Sequence, residues 1–133
     1  MREILFRGKT ACKVRGLSKS PIWVYGDRFN DPNGLCIVTG TGNFPLVIPE
    51  TLGQFSGVLD SNGEKIFEGD IVRMSYTGKY LGVNGTAEVV FQNGKFGVIW
   101  GWHKEFVALD GFANTKIEII GNVFDNSELL EEK

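Results

Sequence analysis

Residues Pro49–Met74 read PETLGQFSGVLDSNGEKIFEGDIVRM, and this stretch decides the fold class. Asn62-Gly63 is a strong short-range hairpin signal, because both central positions of a type I′ turn need positive φ. Asp60, just before it, has a short side chain that bonds backbone amides two residues on. Lys65-Ile66-Phe67 is too short to amount to much of a strand. Glu68-Gly69-Asp70 interrupts it, with Gly69 free to adopt a turn conformation closed to other residues. Ile71–Tyr76 then alternates, placing Val72, Met74 and Tyr76 on one face. A Gly-Asp turn feeding a β-branched strand is a common entry to small SH3-like barrels, an analogy of fold that carries no function.

Working outward, Ile4–Phe6 and Thr10–Val14 read as short strands. Ile22–Tyr25 is a strand bounded by Pro21 and Gly26-Asp27. Phe29–Gly34 is a loop in which Asp31-Pro32-Asn33-Gly34 has β-turn residues, and Leu35–Val38 is the partner strand. Pro49-Glu50 predicts one turn of helix with Pro at its first position, ended by Gly53. The boundary between lobes falls near Gly57, giving a smaller β-rich lobe over 1–57 and an SH3-like β-barrel with a short tail over 58–133. In the second half, Thr86–Phe91, an Asn93-Gly94 turn, Lys95–Trp102 and Thr115–Ile120 form a meander. Asn126 or Ser127 caps a short terminal helix.

The 133 residues suffice to build a core without disulfides or metal, since folding at this size removes roughly two-thirds of the unfolded surface from water. Of 18 glycines, five directly follow Asn or Asp (Gly34, Gly63, Gly85, Gly94 and Gly111). Many tight turns between short apolar runs predict an all-β chain.

Net charge of −2 and a pI near 5.4 argue against a dedicated DNA binder, which carries a concentrated basic surface. The charge is nevertheless split. Arg2, Arg7, Lys9, Lys13, Arg15 and Lys19 form a basic first segment, and Glu118, Asp125, Glu128, Glu131 and Glu132 an acidic last one. Two readings follow: solvated ends, or an attraction between ends within one chain or between subunits. No apolar run reaches membrane-spanning length. Arg2 and Arg7 interrupt the first apolar residues, which leaves no signal-peptide segment, so a cytoplasmic location is expected. Cys12 and Cys36 are too few for a Cys-only zinc site and are expected to be free thiols.

Candidate sites are few. Phe96, Val98, Trp100 and Trp102 alternate along one strand, and their face is either barrel core or, toward its end, a rim. Trp100, Trp102, His103 and Phe106 make up the possible binding surface, suited to a peptide, a nucleobase or another subunit. His103, the only histidine, has no partner at ligand or triad spacing. Asp60, Asn62 and Glu64 have the spacing of a calcium loop, but strands flank them where helices are required. Glu68 and Asp70 are read as backbone-capping groups. No catalytic residue, metal site or cofactor is expected.

Four ordered blocks carry a family resemblance: MREILFRGK at 1–9, WVYGD at 23–27, IPETLGQFSGVLDSNGEKIFEGDIVR at 48–73 and IEIIGNVFDNSELL at 117–130. With these the chain resembles the YopX family, small proteins encoded mainly by phages and prophages. The resemblance implies a mostly β protein with an SH3-type barrel in the C-terminal half, and implies no biochemical activity. The expectation is a non-enzymatic phage accessory protein that binds a phage or host protein or assembles with itself as a homo-oligomer. The alternative is a small nucleic-acid-binding barrel whose basic arm contacts phosphates.

Overall fold

The computed structural model describes residues 4–10, 22–76, 85–100, 105–109 and 115–130. The chain is mainly β, and among the described residues there is no α-helix. Ten strands lie among the described residues: β1 (Phe6–Lys9), β2 (Trp23–Asp31), β3 (Gly34–Val38), β4 (Gly53–Leu59), β5 (Lys65–Phe67), β6 (Asp70–Tyr76), β7 (Gly85–Gln92), β8 (Lys95–Trp100), β9 (Glu105–Ala108) and β10 (Thr115–Asn122). They form two antiparallel five-stranded sheets, ordered β3-β2-β1-β4-β5 and β10-β6-β7-β8-β9. The chain divides into two compact units, Met1–Phe55 and Ser56–Lys133.

In the first unit, β2 is longer than the alternation at Ile22–Tyr25 predicts. It continues through Asp31, so that Phe29 faces Cys36 and Asp31 faces Gly34 across the ladder. Pro32-Asn33 alone makes the turn, and the Asp31 carboxylate accepts the Asn33 N–H at 3.0 Å. The outer edge of β3 is covered by the chain itself. Ile37 N–H donates to the Pro45 carbonyl and Val47 N–H to the Leu35 carbonyl, at 3.3 and 2.9 Å. Pro49–Thr51 forms a 3-10 turn with Pro at its start. Thr51 fastens it, its Oγ1 accepting the Lys9 N–H at 2.8 Å and donating to the Ile48 carbonyl at 2.6 Å.

The second unit has its own core. Val72 and Met74 of β6, Ala87 and Val89 of β7, Phe96 and Val98 of β8, and Ile117 of β10 cluster with Ile66 and Leu109. The period-2 pattern puts alternate residues of each strand on this one face, and each large apolar side chain so buried contributes about 1.5–3 kcal/mol. The alternating Phe96 and Val98 are therefore core. Among the described residues no ladder joins β9 to β10.

Asn62-Gly63 does not form the expected type I′ turn. Gly63 has φ of 83°, but Asn62 is not among the residues of positive φ. Asp60 N–H donates to the Glu64 carbonyl at 2.7 Å and Gly63 N–H to the Asp60 carbonyl at 3.0 Å. This is a three-residue loop ending in a left-handed glycine, the second commonest hairpin solution. The Asp60 carboxylate selects it by accepting the Asn62 and Glu64 N–H groups, each at 2.9 Å. Asn93-Gly94 does form a two-residue hairpin with positive φ at both positions, 52° and 79°.

Where a terminal helix is expected, the described residues form one 3-10 turn, Ser127–Leu130, and 131–133 lie outside the described residues. Asn126 does not cap it with its side chain, which turns back so that Oδ1 accepts the Asn122 N–H at 3.2 Å.

Candidate binding edge and groove

Each outer strand of a sheet presents backbone N–H and C=O groups that ask for a partner. In the second unit the β10 edge is occupied. Ser61 N–H donates to the Ile117 carbonyl at 2.7 Å, Ile117 N–H donates to Ser61 Oγ at 2.9 Å, and Ile119 N–H donates to Asp60 Oδ2 at 3.1 Å. The opposite edge is different. β9 pairs with β8, in the register Gly97↔Ala108, Val98↔Val107, Ile99↔Phe106 and Trp100↔Glu105. Among the described residues no strand pairs with its outer side.

Beside β9 lies a groove of about 170 Å³, lined by Ser56 and Val58 of β4, Lys95 and Phe96 of β8, and Ala108 and Leu109 at the end of β9. Its walls are mostly apolar, and Lys95 is the charged residue among them. Phe96 reaches the groove from the core, and the half-exposed Phe91 ring leans on it, centroids 4.7 Å apart. The Asn93-Gly94 turn enforces this contact by setting Phe91 opposite Phe96.

Of the aromatic surface expected at Trp100, Trp102, His103 and Phe106, Trp102 and His103 lie outside the described residues. Trp100 occupies the register position opposite Glu105, and Phe106 the position opposite Ile99. Phe106 is half-buried and packs over Gly97, where a Cβ would stand 2.7 Å from the ring and collide with the Val107 carbonyl. Gly97 thus lets β9 approach β8 closely.

In the basic segment, Arg2, Lys13, Arg15 and Lys19 lie outside the described residues. Arg7 is 6% exposed, with its guanidinium 4.7 Å above the Trp23 ring. It is built into the first unit rather than held out to solvent. Lys9 is half-buried in β1.

The carboxylates expected to cap backbone occupy separate roles. Asp70 is buried and Oδ2 accepts the Phe67 N–H at 2.8 Å. The Gly69 N–H donates to the Val89 carbonyl at 2.9 Å, which brings Glu68 toward Glu88. Burial raises the Glu88 carboxyl above its ordinary range, and the charge of Glu68 raises it further. At Asp60 burial pushes upward, but the N–H groups of Ile119, Glu64 and Asn62 outweigh it and the carboxyl titrates below its ordinary range. Among the described residues no three His, Cys, Asp or Glu side chains are placed to hold a metal ion. Cys36 is a buried free thiol, its ionisation pushed up by burial and then by Asp31. Cys12 lies outside the described residues. No helix among them is long and apolar enough to cross a membrane.

The groove and the β9 edge escaped sequence reasoning. Their residues come from three strands spread between Ser56 and Leu109, and no local pattern links them. The one legible signal was the Asn93-Gly94 hairpin that delivers Lys95 and Phe96.

Solved structures similar to the chain include YopX from Bacillus subtilis, at 21% identity and a TM-score of 0.61, covering 97% of this chain and 98% of that one. Protein EF1440 from Enterococcus faecalis is similar at 20% identity and a TM-score of 0.51, covering 98% of this chain and 99% of that one. At such identities the likeness extends to the fold alone. No curated protein matches the chain. The family model described as YopX protein matches residues 13–131, and the chain belongs to the YopX family.

Proposed function

We propose that this chain is a non-enzymatic accessory protein of a phage or prophage, working in the bacterial cytoplasm as a protein-binding or self-assembling module. The observation that carries this reading is the unequal treatment of sheet edges. The chain covers the outer sides of β3 and β10 with its own backbone and side chains, and among the described residues it leaves β9 open beside an apolar groove. Edges left open are sites where another strand adds. The second unit is read as an SH3-like barrel, with β9 and β10 as the two ends of its sheet. In support, β10 returns beside β6 while β7, β8 and β9 follow in sequence, the connectivity a small five-stranded barrel requires.

The nucleic-acid reading is second. It rests on the basic residues of the first segment, of which Arg7 is buried against Trp23. A pull-down from lysogenic host cells, with nuclease-treated and untreated arms, separates the two. A protein retained in both arms supports the proposal. Capture that disappears on nuclease treatment supports the alternative and overturns the leading reading.

A further inference from the structure

We propose that Asp27, Phe29 and Asp31 of β2 bind an arginine side chain of a partner protein, with the aliphatic neighbours of that arginine lying on Val38, Phe44 and Leu46. This inference rests on the binding-module reading and names a surface in the first unit and the chemistry of its ligand.

The register fixes the face. Residues directly opposite in an antiparallel ladder share a side of the sheet, and so do alternate residues of one strand. Asp27 stands opposite Val38, Phe29 opposite Cys36 and Asp31 opposite Gly34. Cys36 stands in turn opposite Leu46. Thr39 N–H donates to the Asn43 carbonyl at 2.7 Å, which continues this pairing to Phe44 beside Val38. Leu46 is on the same side, because its Cδ2 lies 3.3 Å from where a Cβ on Gly34 would stand. Two carboxylates, two aromatic rings and two aliphatic side chains therefore share one face. The face is exposed: Phe29 keeps 48% and Phe44 58% of its surface in solvent, and Asp27 is exposed beside them. Apolar side chains gathered in this way and rimmed by polar groups mark an interaction site, whereas scattered ones do not.

Charge selects the occupant. Asp27 and Asp31 bracket Phe29, each two residues from it and so roughly 7 Å away along the strand. Among the described residues no ion pair engages either carboxylate. Asp31 is fixed in place, since its Oδ2 accepts the Asn33 N–H at 3.0 Å. Its charge also reaches the Cys36 thiol on this face, whose ionisation is raised by burial first and by Asp31 second. A ring between two negative charges favours a cation over its plane. A guanidinium suits the place better than an ammonium, because it is planar, weakly hydrated and able to stack on Phe29 while its N–H groups fork to the carboxylates. The same charges repel a phosphate backbone, so the surface fits a protein rather than a nucleic acid.

The test uses the full chain, labelled with ¹⁵N, and three acetylated, amidated probe peptides. The first is Thr-Arg-Thr-Val-Thr-Val, the second has citrulline in place of arginine, which keeps the shape and removes the charge, and the third has lysine there. The arginine peptide is expected to move the amide signals of Asp27, Phe29, Asp31, Val38 and Leu46. The citrulline peptide is expected to bind most weakly and the lysine peptide between the two. Phe29→Leu, at an exposed position, should weaken the arginine peptide roughly two- to fivefold, the size of an exposed cation–π contact. Asp27→Asn combined with Asp31→Asn, which keeps an acceptor for Asn33, should bring the arginine peptide down to the level of the citrulline peptide. Equal binding of the arginine and citrulline peptides, or signals that move on another face, overturns the proposed ligand. Movement of the same signals with protein concentration alone assigns the face to a second copy of the chain and also overturns it. No shift with any peptide at millimolar concentration overturns the site, whereas the binding-module reading falls only if the chain neither self-associates nor retains a protein.

Discussion

Asp60 Oδ2 accepts the backbone N–H of Ile119 at 3.1 Å, across 59 positions of sequence. The same carboxylate holds the Asn62 and Glu64 amides, so one side chain shapes the β4–β5 hairpin and ties it to the edge of β10. Hydrogen bonds to a charged group are worth about 1.5–3 kcal/mol each. Asp60→Ala should therefore cost on the order of 3 kcal/mol or more in urea unfolding, and Asp60→Asn, which keeps one acceptor oxygen, less. A melt indistinguishable from wild type for Asp60→Ala contradicts this role.

The same group predicts acid sensitivity. Its folded-state carboxyl titrates below the ordinary range, so its contribution is complete above the unfolded value of about 4. That contribution is lost as pH falls through the folded value. Denaturation midpoints from pH 7 to pH 2 should converge between wild type and Asp60→Asn at the acid end.

Glu88 has the opposite sign. Its carboxyl is raised by burial and by Glu68, so the charged form opposes folding at neutral pH and protonation relieves it. Glu88→Gln should raise the melting temperature at pH 7, and the gain should vanish below the range in which Glu88 protonates. A gain that persists unchanged at pH 3 assigns the effect to something other than charge.

Gly69 has φ of 94°, with its N–H given to Val89 and its carbonyl taken by Val123, both at 2.9 Å. A β-branched residue cannot hold that conformation cheaply, and Gly69→Val should cost at least about 1–2 kcal/mol. Thermal melts of the two chains decide the point.

Arg7 provides a test that separates fold from function. Stacked over Trp23 and buried, it should contribute about 0.5–2 kcal/mol through its planar guanidinium. Arg7→Lys should lower stability and alter Trp fluorescence. If Arg7 instead served a phosphate-binding arm, the substitution would leave stability unchanged and lower the affinity for single-stranded DNA at low salt.

Much of the fold was legible because it is local. The strand at Ile71–Tyr76, the Asn93-Gly94 turn and Pro49 at the head of a short helical turn each read correctly from neighbours in sequence. The two Asn-Gly pairs show the limit. They are identical dipeptides, yet only Asn93-Gly94 makes the two-residue turn, because at Asn62-Gly63 the Asp60 side chain favours a longer loop and is itself fixed by Ile119. Arg7 looked like part of a solvated basic segment because nothing local reveals that Trp23, 16 residues on, lies beneath it. The groove was invisible for the same reason, since Val58, Phe96 and Leu109 meet only in the folded chain.

The central claim is that the chain works by associating with protein, and sedimentation equilibrium at low and high salt tests it most directly. The β9 edge, unpaired on its outer side among the described residues, and the charge-split ends predict self-association at micromolar concentration. The electrostatic share should weaken with salt, because exposed charges are screened over about 8 Å at physiological ionic strength. A mass above the 14.7 kDa monomer that falls with added salt is the predicted result. A strict monomer under both conditions contradicts the self-assembling form of the account.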